Sequence, residues 1–278
     1  MSMNSFHSRN RRSAPARRAE HAPIDHGGLL RADALLVERG LYPSRTRAQA
    51  AIEAGRVSAD GVVVHKSSHL LLPHAHIVIA PDEAERFASR GGLKLAGALA
   101  HCGLDVSGRV CLDVGQSTGG FTDCLLQAGA ARVVGVEVGH GQLDPKLAND
   151  ARCVTLEGVN ARDLDAAQLG GHHPPGGFDL IVCDASFISL GLLMPRWPAL
   201  LAPHGEILAL VKPQFEVGPK GLGKGGIVRD TTLYLDVETR LRTLAAECGL
   251  AVRDWFDSPI AGGDGNHEFF LWMHHANH

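Results

Sequence analysis

Short apolar runs alternate with helical patterns along the last two thirds of the chain. The runs are Arg109–Val114, Ala131–Val138, Phe178–Asp184, Ile207–Val211 and Phe269–Met273. Segments with helical periodicity lie between most of them. This alternation is typical of a mostly parallel sheet with helices on both faces, so we expect an α/β fold here.

Residues 27–80 follow a different pattern, in which two helices precede a hairpin. The first helical stretch closes at Gly40, and the second has Ser44 as its expected N-cap and ends at Gly55. The turn Asp60-Gly61 lies between runs that contain valine, which is a strong hairpin signal. We therefore expect a small α+β domain in front of the α/β domain.

Charge is distributed unevenly along the chain. Residues 1–80 carry eleven Lys and Arg against six Asp and Glu, whereas the remaining residues carry 16 against 24. A basic front on an acidic body indicates an anionic partner for the front. Residues 1–26 hold five arginines and almost no aliphatic residues, which predicts a disordered tail that either contacts nucleic-acid phosphates or stays solvated. Those arginines are Arg9, Arg11, Arg12, Arg17 and Arg18. Separately, the polar residues at 81–90 predict a linker between the two domains.

The composition excludes several classes of protein. The 278 residues are 45% hydrophobic and 21% charged, as in a globular protein of about two domains. No apolar run approaches the ~18 residues of a membrane span, and no apolar segment follows the first arginines as in a secretory signal. The six cysteines form no CxxC pair, so we expect neither disulfides nor a zinc ribbon. Side chains of the adjacent pairs His172-His173 and His274-His275 splay apart, so we expect no metal site from them. These features predict a cytoplasmic protein without a membrane partner, and they do not indicate an oligomeric state.

A glycine-rich turn, Gly115-Gln-Ser-Thr-Gly-Gly120, joins the first predicted strand of the α/β domain, Arg109–Val114, to a predicted helix. Such a turn lets a ligand approach backbone N–H groups at a helix N-terminus. The dinucleotide fingerprint is not met, because Ser117 occupies the place of its second glycine, and a P-loop would need lysine where Phe121 stands. The turn does match the GxSxG nucleophile elbow, and Ser117, Asp184 and His267 follow the chain order of a hydrolase triad. Against a hydrolase, only one α/β strand precedes the turn and no HGGG-type segment exists.

A nucleoside cofactor is the remaining interpretation of this turn. Glu137 ends the second strand, 22 residues after Gly115, and an acid at this spacing can bind a ribose hydroxyl, although a solvated strand end is its alternative. Asp113, within the first strand, is typical of an S-adenosylmethionine loop rather than of an NAD loop. The loop residues expected at this cofactor are Gly115, Ser117, Thr118, Gly119, Gly120 and Phe121.

Four charged residues lie at the ends of predicted strands or at the entry to the domain. Asp184 and Lys212 each follow an apolar strand. Glu268 begins the last strand, and Lys94 lies on the helix that enters the domain. Ligands of open α/β sheets bind at the carboxyl ends of strands, so these charges are expected over a crevice. A lone lysine after a strand is also explained as a snorkelling surface residue, but two lysines and two carboxylates favour a functional site.

The motifs of this chain resemble those of a known family. The stretches concerned are Arg31–Gly40, Ser44–Ser58, Ser89–Leu95, Asp113–Leu125, Cys183–Leu190, Leu210–Asp230 and Ser258–Phe269. They resemble the TlyA-type (haemolysin A-like) rRNA 2′-O-methyltransferases, in which an S4 RNA-binding module is fused to an FtsJ-like domain. Val211-Lys-Pro-Gln-Phe-Glu216 and Gly223-Lys-Gly-Gly-Ile-Val-Arg-Asp230 are the most specific matches.

This resemblance implies a fold, a cofactor and a substrate. It implies a Rossmann-like class I methyltransferase domain with a mostly parallel seven-stranded sheet at residues 91–278, and an S4-like domain at 27–80. S-adenosyl-L-methionine is the implied cofactor, ribosomal RNA in a ribosomal subunit the implied partner, and a cytidine 2′-OH the implied target.

The family's site residues carry over by position. Its Lys-Asp-Lys-Glu tetrad falls on Lys94, Asp184, Lys212 and Glu268, and Asp184 is implied at the cofactor as well. The implied RNA face of the S4-like domain carries Arg31, Arg45, Arg47, Arg56 and Lys66, for which a solvated surface is the alternative. Departures from the family's pattern are Gln116 in the loop, His140 and Ala185.

The expected chemistry is action of Lys212 on a ribose hydroxyl, by hydrogen bond or as base, with Lys94 as a neighbouring cation and the two carboxylates as supports. Phe187 and Phe215 are expected either to stack a flipped nucleotide or to pack in the core. The glycine-rich segment 218–226, with Lys220 and Lys224, is expected either to close over the ligands or to be an ordinary flexible loop. Three other functions stay open: a serine hydrolase at 115–119, a membrane-active haemolysin, and a ribosome-binding protein without activity.

Overall fold

The computed structural model describes residues 28–82 and 86–276. The chain forms two compact units that divide between Ala80 and Pro81. The predicted disordered tail at 1–26, with its five arginines, lies outside the described residues. Phe87, from the predicted linker at 81–90, is buried in the core of the second unit, so this end of the segment packs as part of that unit.

Two short helices and five short strands make up the described part of the first unit. They are β1 (Leu30–Arg31), α1 (Ala32–Glu38), α2 (Arg45–Glu53), β2 (Val57–Ala59), β3 (Val62–Val63), β4 (Leu70–Leu71) and β5 (Ile77–Ile79). β1 pairs with β4, while β3, β2 and β5 form a three-stranded sheet in that order. The predicted order of helix, helix and hairpin is present. Ser44 caps α2 by accepting from the Arg47 N–H, and Asp60 and Gly61 take the positive φ values, 50° and 81°, that a two-residue hairpin turn requires.

A buried carboxylate, Asp33, joins the start of α1 to α2. Its side chain is 0% exposed and accepts hydrogen bonds from Arg31 at 3.0 Å, Arg45 at 2.8 Å and Gln49 at 2.7 Å. Burial alone would raise the pKa of Asp33, but the hydrogen bonds from these three side chains lower it well below its ordinary range. Arg45, predicted at an RNA face, therefore also holds α2 to α1, while Arg31, predicted at the same face, binds Asp33 from the residues just before α1.

The second unit alternates strands and helices as predicted. Its elements are α3 (Gly91–Cys102), β6 (Val110–Val114), α4 (Gly120–Gln127), β7 (Arg132–Glu137), α5 (Pro145–Ala148), β8 (Cys153–Glu157), α6 (Ala166–Leu169), β9 (Phe178–Cys183), β10 (Leu201–Val211), α7 (Thr232–Glu247), β11 (Leu250–Asp257) and β12 (Phe269–His275). Short 3₁₀ turns at 190–192 and 213–215 follow β9 and β10.

The strands of the second unit form one seven-stranded sheet in the order β11-β12-β10-β9-β6-β7-β8. Every pairing is parallel except those that β12 makes with β10 and β11. The prediction of a mostly parallel, seven-stranded α/β sheet is therefore confirmed. The apolar pattern does not predict the two edge strands, β8 and β11. Side chains of β8 are only half-buried or exposed, and the charged pair Arg253-Asp254 interrupts β11 where its register shifts.

Helices cover both faces of this sheet. Residues of α7, among them Leu241, pack on one face with Trp197 and Phe178. On the other face, α3 and α4 contribute Leu95 and Leu125 to a second core cluster. Within the described residues, no helix has the length and apolar character needed to cross a membrane.

Replacing Asp33 with asparagine is predicted to loosen the first unit and leave the second intact. An amide cannot serve two guanidinium groups as a carboxylate does, and losing such hydrogen bonds costs about 1–3 kcal/mol. Amide hydrogen exchange on the full chain should accelerate in α1 and α2 and stay unchanged in β6 and β9. Unchanged exchange in α1 and α2 would show that Asp33 is not a support.

The pH dependence of the first unit should have a defined sign. Because the folded-state pKa of Asp33 is lowered, its stabilisation is fully present above the pKa of the unfolded chain, about 4, and is lost as the pH falls toward the folded-state value. Protection of α1 and α2 against hydrogen exchange should therefore decline below about pH 4 in the wild type, and less steeply in Asp33→Asn. Identical pH profiles for the two proteins would contradict this assignment.

Candidate active site

The carboxyl ends of β6, β7, β9 and β10 lie at one edge of the sheet, because these four neighbouring strands are parallel. Three cavities lie along this edge, with volumes of about 500, 130 and 470 Å³. We name them the glycine-loop cavity, lined by Gly115 and Glu137, the central cavity, lined by Gly120 and Asp184, and the lysine cavity, lined by Lys94. Ser186 lines all three, so they adjoin one another.

The loop between β6 and α4 is bent by residues with positive φ. Gly115, Ser117 and Gly119 have φ values of 84°, 50° and 91°. Glycine is favoured at 119, because a φ of 91° strains any other residue and a Cβ there would lie 2.3 Å from Leu147 Cδ1. The bend places the loop against the cavities. The loop residues that line the central cavity are Gly115, Gln116, Ser117, Thr118, Gly120 and Phe121.

Glu137 ends β7 and lines the glycine-loop cavity. Its carboxylate accepts from the backbone N–H of Ser117 at 2.9 Å and of Gly139 at 2.8 Å. A carboxylate has about four acceptor sites, so Glu137 can also accept from a ligand hydroxyl. The same side chain thus shapes the loop and faces the cavity.

Asp113 lies beneath the loop, and the three cavities are lined by other residues. Its side chain is fully buried, and the hydroxyl of Thr122 donates to it at 2.6 Å. Burial raises the pKa of Asp113 to about 7. The Gln116 amide in turn donates to the Thr122 hydroxyl at 2.9 Å. This buried chain of hydrogen bonds supports the loop and the first turn of α4 from below.

The glycine-loop cavity fits a nucleoside. Its volume of about 500 Å³ falls in the range of small-molecule sites, ~300–1,000 Å³. The carboxylate of Glu137 offers acceptors for sugar hydroxyls, and apolar walls offer a surface for a base. Those walls are Val136, Val138, Val159, Ala161, Ile188 and Leu193. Gln142 and Asn160 also line the cavity; sequence reasoning missed them because they lie in loops without a recognisable motif.

An ion pair between Lys212 and Asp184 lies where the cavities adjoin. The Lys212 Nζ is 2.7 Å from Asp184 Oδ1 and donates to Ser186 Oγ at 2.7 Å. The two charged side chains are only 10% and 23% exposed. Such a shielded pair adds little net stability, because desolvation offsets the attraction. Its effect is to hold an amine in the wall shared by the central and lysine cavities.

The second ion pair joins Lys94 to Glu268. The Lys94 Nζ is 2.5 Å from Glu268 Oε2, and the side chains are 10% and 3% exposed. Burial raises the pKa of Glu268, although Lys94 and, more weakly, Lys212 oppose this. Lys94, Glu268 and Lys212 all line the lysine cavity. The structure therefore brings together the four charges selected from the sequence, as two ion pairs.

Phe187 projects from the loop after β9. Its side chain is 90% exposed, and its φ of 62° is a strained value for a bulky residue. Its ring centroid lies 5.2 Å from that of half-buried Phe215, and both rings line the lysine cavity. A side chain this exposed does not pack in the core, so the core-packing alternative is wrong for Phe187.

The glycine-rich segment 218–226 closes one side of the lysine cavity through Leu222, Gly225 and Gly226, while Lys220 and Lys224 are exposed and do not line it. Buried Asn266 holds the end of this segment. It accepts from the Val228 N–H at 3.0 Å and donates to the Gly226 carbonyl at 3.2 Å. Sequence reasoning missed Asn266, and it missed Ser186, Gln214 and Asp264 of the cavity walls, since none follows a strand directly.

The hydrogen bonds of the described residues do not assemble a hydrolase triad. The Ser117 hydroxyl donates to Gln142 at 3.1 Å, and the His267 ring lies 2.8 Å from Asp257. Asp184 pairs with Lys212 instead. Over the same described ranges, no group of three His, Cys, Asp or Glu side chains is placed to hold a metal ion.

The basic residues predicted on the first unit fall into two kinds. Arg31 and Arg45 are paired with Asp33. Arg47 and Lys66 are exposed and make no side-chain hydrogen bond or ion pair with another described residue. Arg56 is half-buried.

Comparisons with known proteins assign both units. The family model of the FtsJ-like methyltransferases matches residues 87–275, and that of the S4 domain matches residues 30–77. The 16S/23S rRNA (cytidine-2′-O)-methyltransferase TlyA of Mycobacterium tuberculosis is 42% identical over 87% of this chain and 89% of that protein. Hemolysin A of Brachyspira hyodysenteriae is 37% identical over 86% of this chain and 98% of that protein.

A solved structure agrees with these matches. The structure of a candidate hemolysin from Streptococcus thermophilus superposes with a TM-score of 0.66, at 35% identity and 90% coverage of both chains. The resemblance found in the sequence motifs is confirmed by the matches to both units. This chain belongs to the TlyA-type family, in which an S4 domain precedes an FtsJ-like methyltransferase domain.

Proposed function

We propose that this protein transfers the methyl group of S-adenosyl-L-methionine to a ribose 2′-OH of ribosomal RNA. The observation that carries the proposal is the Lys212–Asp184 ion pair in the wall between the central and lysine cavities. It holds an amine between the central cavity, which adjoins the glycine-loop cavity that fits a nucleoside, and the lysine cavity, which is large enough for a nucleotide. Because the mycobacterial relative is named for cytidine, we propose a cytidine of a ribosomal subunit, modified in the cytoplasm.

The residues around the glycine-loop cavity suit this cofactor. Glu137 would hold the ribose hydroxyls, and the apolar walls would contact the adenine. When bound, the cofactor supplies an activated methyl group on a positively charged sulfonium. The carboxylate of Asp184, which lines both the glycine-loop and central cavities, favours a cationic group between them.

Lys212 acts on the hydroxyl in this proposal. Methyl transfer is an in-line displacement whose main demands are positioning and removal of the hydroxyl proton. Asp184 and Ser186 hold the Lys212 Nζ in the cavity wall, where it can contact a 2′-OH that enters through the lysine cavity. The amine acts on the hydroxyl either by a hydrogen bond that orients it or as the base that takes its proton.

Lys94 and Glu268 support this step from the wall of the lysine cavity, which Lys212 also lines. Their ion pair keeps the cavity wall close to neutral although two lysines line it. Phe187 and Phe215 offer aromatic faces to the base of a nucleotide turned out of its helix, as RNA-modifying sites commonly do. The first unit would contact RNA phosphates through its exposed basic side chains, which fits the match to the S4 domain.

Among the alternative functions from the sequence, neither the serine hydrolase nor the membrane-active haemolysin is favoured. A serine hydrolase would need an imidazole at Ser117, whose hydroxyl contacts Gln142. A membrane-active role has only the name of the Brachyspira relative behind it, whereas the match to the FtsJ-like methyltransferases covers residues 87–275.

Glu137→Gln should weaken cofactor binding with little effect on folding. The variant loses the charged acceptor for the ribose and one of two N–H contacts to the loop, so we expect at least about a tenfold rise in the dissociation constant of S-adenosylhomocysteine by calorimetry. The matched control is Glu157→Gln. Glu157 lies on β8, where it pairs in register with Glu137 of β7. It accepts from the Gly141 N–H at 2.7 Å but does not line the cavity. Equal affinity in Glu137→Gln and the control would remove Glu137 from the ribose site.

Lys212→Ala should abolish methyl transfer while cofactor and RNA still bind. Loss of a positioned acid–base group costs about 10²–10⁴-fold in rate, and the effect belongs in kcat because the contact forms in the transition state. Lys212→Arg should not restore activity, since a guanidinium keeps its proton. As a control, Lys146→Ala removes another lysine that pairs with a buried aspartate, Asp123 at 3.0 Å, and should retain activity. Mass mapping of ribose methylation on rRNA measures each variant. A nearly wild-type rate in Lys212→Ala would refute the mechanism.

Arg47→Ala with Lys66→Ala should weaken RNA binding without changing the fold of the first unit. These exposed cations are free to contact phosphates, so their loss should lower affinity and reduce the dependence of log K on log salt by roughly one unit per lost contact. Affinity for S-adenosylhomocysteine should not change. Arg45→Ala differs, because it also removes a partner of Asp33 and should accelerate hydrogen exchange in α1 and α2. An unchanged salt slope in the double variant would mean that these side chains are only solvated.

A further inference from the structure

Glu216 is a buried carboxylate of the second unit that the reaction does not use directly. Its side chain is 1% exposed, and it follows Lys212 by four residues. It accepts hydrogen bonds from Ser189 Oγ at 2.7 Å, from the Leu190 N–H at 2.7 Å and from Arg240 at 2.6 Å. These donors come from the loop after β9 and from α7, so one carboxylate joins three parts of the fold.

We propose that Glu216 is a positioning residue for methyl transfer, which fixes segment 185–188 by holding the two residues that follow it. Ser186 of that segment contacts Lys212, and Phe187 contacts Phe215. The inference rests on the proposed function, because it assigns how the Lys212 amine and the exposed aromatic ring are kept in place.

The chain between Lys212 and Glu216 is a closed turn. The Phe215 N–H donates to the Lys212 carbonyl at 2.9 Å, and the Glu216 N–H donates to the Pro213 carbonyl at 2.9 Å. This 3₁₀ turn ties the backbone of Glu216 to that of Lys212. A residue held by the Glu216 carboxylate is therefore held at a fixed place relative to the backbone of Lys212.

Segment 185–188 is held at both ends. At one end, the Asp184 N–H donates to the Val114 carbonyl at 3.1 Å, which anchors it to the sheet. At the other end, Ser189 and Leu190 are bound to Glu216. Strained backbone such as that of Phe187 persists only where its surroundings over-determine it. The Glu216 contacts are that constraint, and without them the segment would relax toward ordinary φ values.

A charged group at this position is not needed for stability alone. Burying a carboxylate with a guanidinium brings little net stabilisation compared with apolar packing of similar volume. What the carboxylate adds is geometry, since its two oxygens accept from three donors in fixed directions. This favours a role in placing Ser186 and Phe187 rather than in holding the fold together.

Glu216→Gln tests the proposal, because it keeps the size of the side chain and turns one acceptor into a donor. We expect kcat for rRNA methylation to fall about 10- to 100-fold, as misplacement of a catalytic group by about 1 Å does. KM for RNA and affinity for S-adenosylhomocysteine should change less, and hydrogen exchange at residues 186–192 should accelerate while β6 stays protected.

The matched control is Glu206→Gln. Glu206 is a second nearly buried carboxylate, which lies in β10 and does not line the three cavities. It contacts Arg109 at 3.1 Å, Arg253 at 3.4 Å and Trp272 at 3.2 Å. Its variant should lower the melting temperature by a similar amount and leave kcat unchanged. If both variants lose activity in proportion to stability, Glu216 is merely structural and the proposal is wrong.

Two further variants keep the test decisive. Adding Glu216→Gln to Ser186→Ala should cost less than adding it to the wild type, because both act through the same segment; fully additive losses would overturn the proposal. If Glu216→Gln does not fold, Arg240→Gln removes one donor from a partly exposed side chain and should give a smaller loss of kcat in the same direction. Wild-type kcat in Arg240→Gln would then overturn it.

Failure of the proposed function would be seen separately. A wild-type protein that methylates no ribose on rRNA would refute the proposed function. Hydrogen exchange at residues 186–192 in Glu216→Gln would still report whether Glu216 holds the segment, and unchanged exchange there would refute the positioning role.

Discussion

Parallel pairing of β6, β7, β9 and β10 is the constraint on which the rest of the second unit depends. Parallel neighbours end at the same edge of a sheet, so the loops that follow them must meet there. Both faces of the sheet are covered by helices, and at this edge the polar side chains that follow the strands face the three cavities. The glycine loop, Glu137, Asp184 and Lys212 are neighbours for this reason, although they are spread over about a hundred residues of chain.

The shielded charged side chains at this edge are arranged as pairs of opposite sign. Lys212 with Asp184 and Lys94 with Glu268 satisfy one another across short distances at low exposure. Ion pairs of this kind are a weak source of net stability, and removing one partner is costly. What the pairs do is restrict where the amines can lie. The Lys212 amine is bound to a carboxylate and a hydroxyl, so it has few positions available and meets a reacting group in one of them.

Buried carboxylates join separate elements in both units of the protein. Asp33 joins two helices of the first unit, and Asp113 supports the glycine loop from below. Glu216 does the same for the segments that carry Ser186 and Phe187. In each case the carboxylate accepts a hydrogen bond from a different element of the fold and so fixes that element relative to its own.

The sequence by itself determined the elements whose signal is local. Interior strands bury both faces and read as apolar runs, the Asp60-Gly61 turn carries its own backbone preference, and Ser44 caps the helix that follows it. The edge strands β8 and β11 were not predictable in this way, because half-exposed strands tolerate polar residues. Positions at strand ends can be selected for the same local reason, so the sequence predicts that Glu137, Asp184 and Lys212 lie at the ends of strands, where the structure has them.

Tertiary structure alone decided which of these residues touch. Nothing local to Lys94 indicates that its partner is Glu268, or that Ser186 rather than a charged residue completes the contacts of Lys212. Asp113 lies under the loop instead of facing a cavity, and Phe187 stands exposed on strained backbone. These outcomes depend on hydrogen bonds and packing between segments far apart in the chain. Their geometry is set only when the sheet edge brings those segments together.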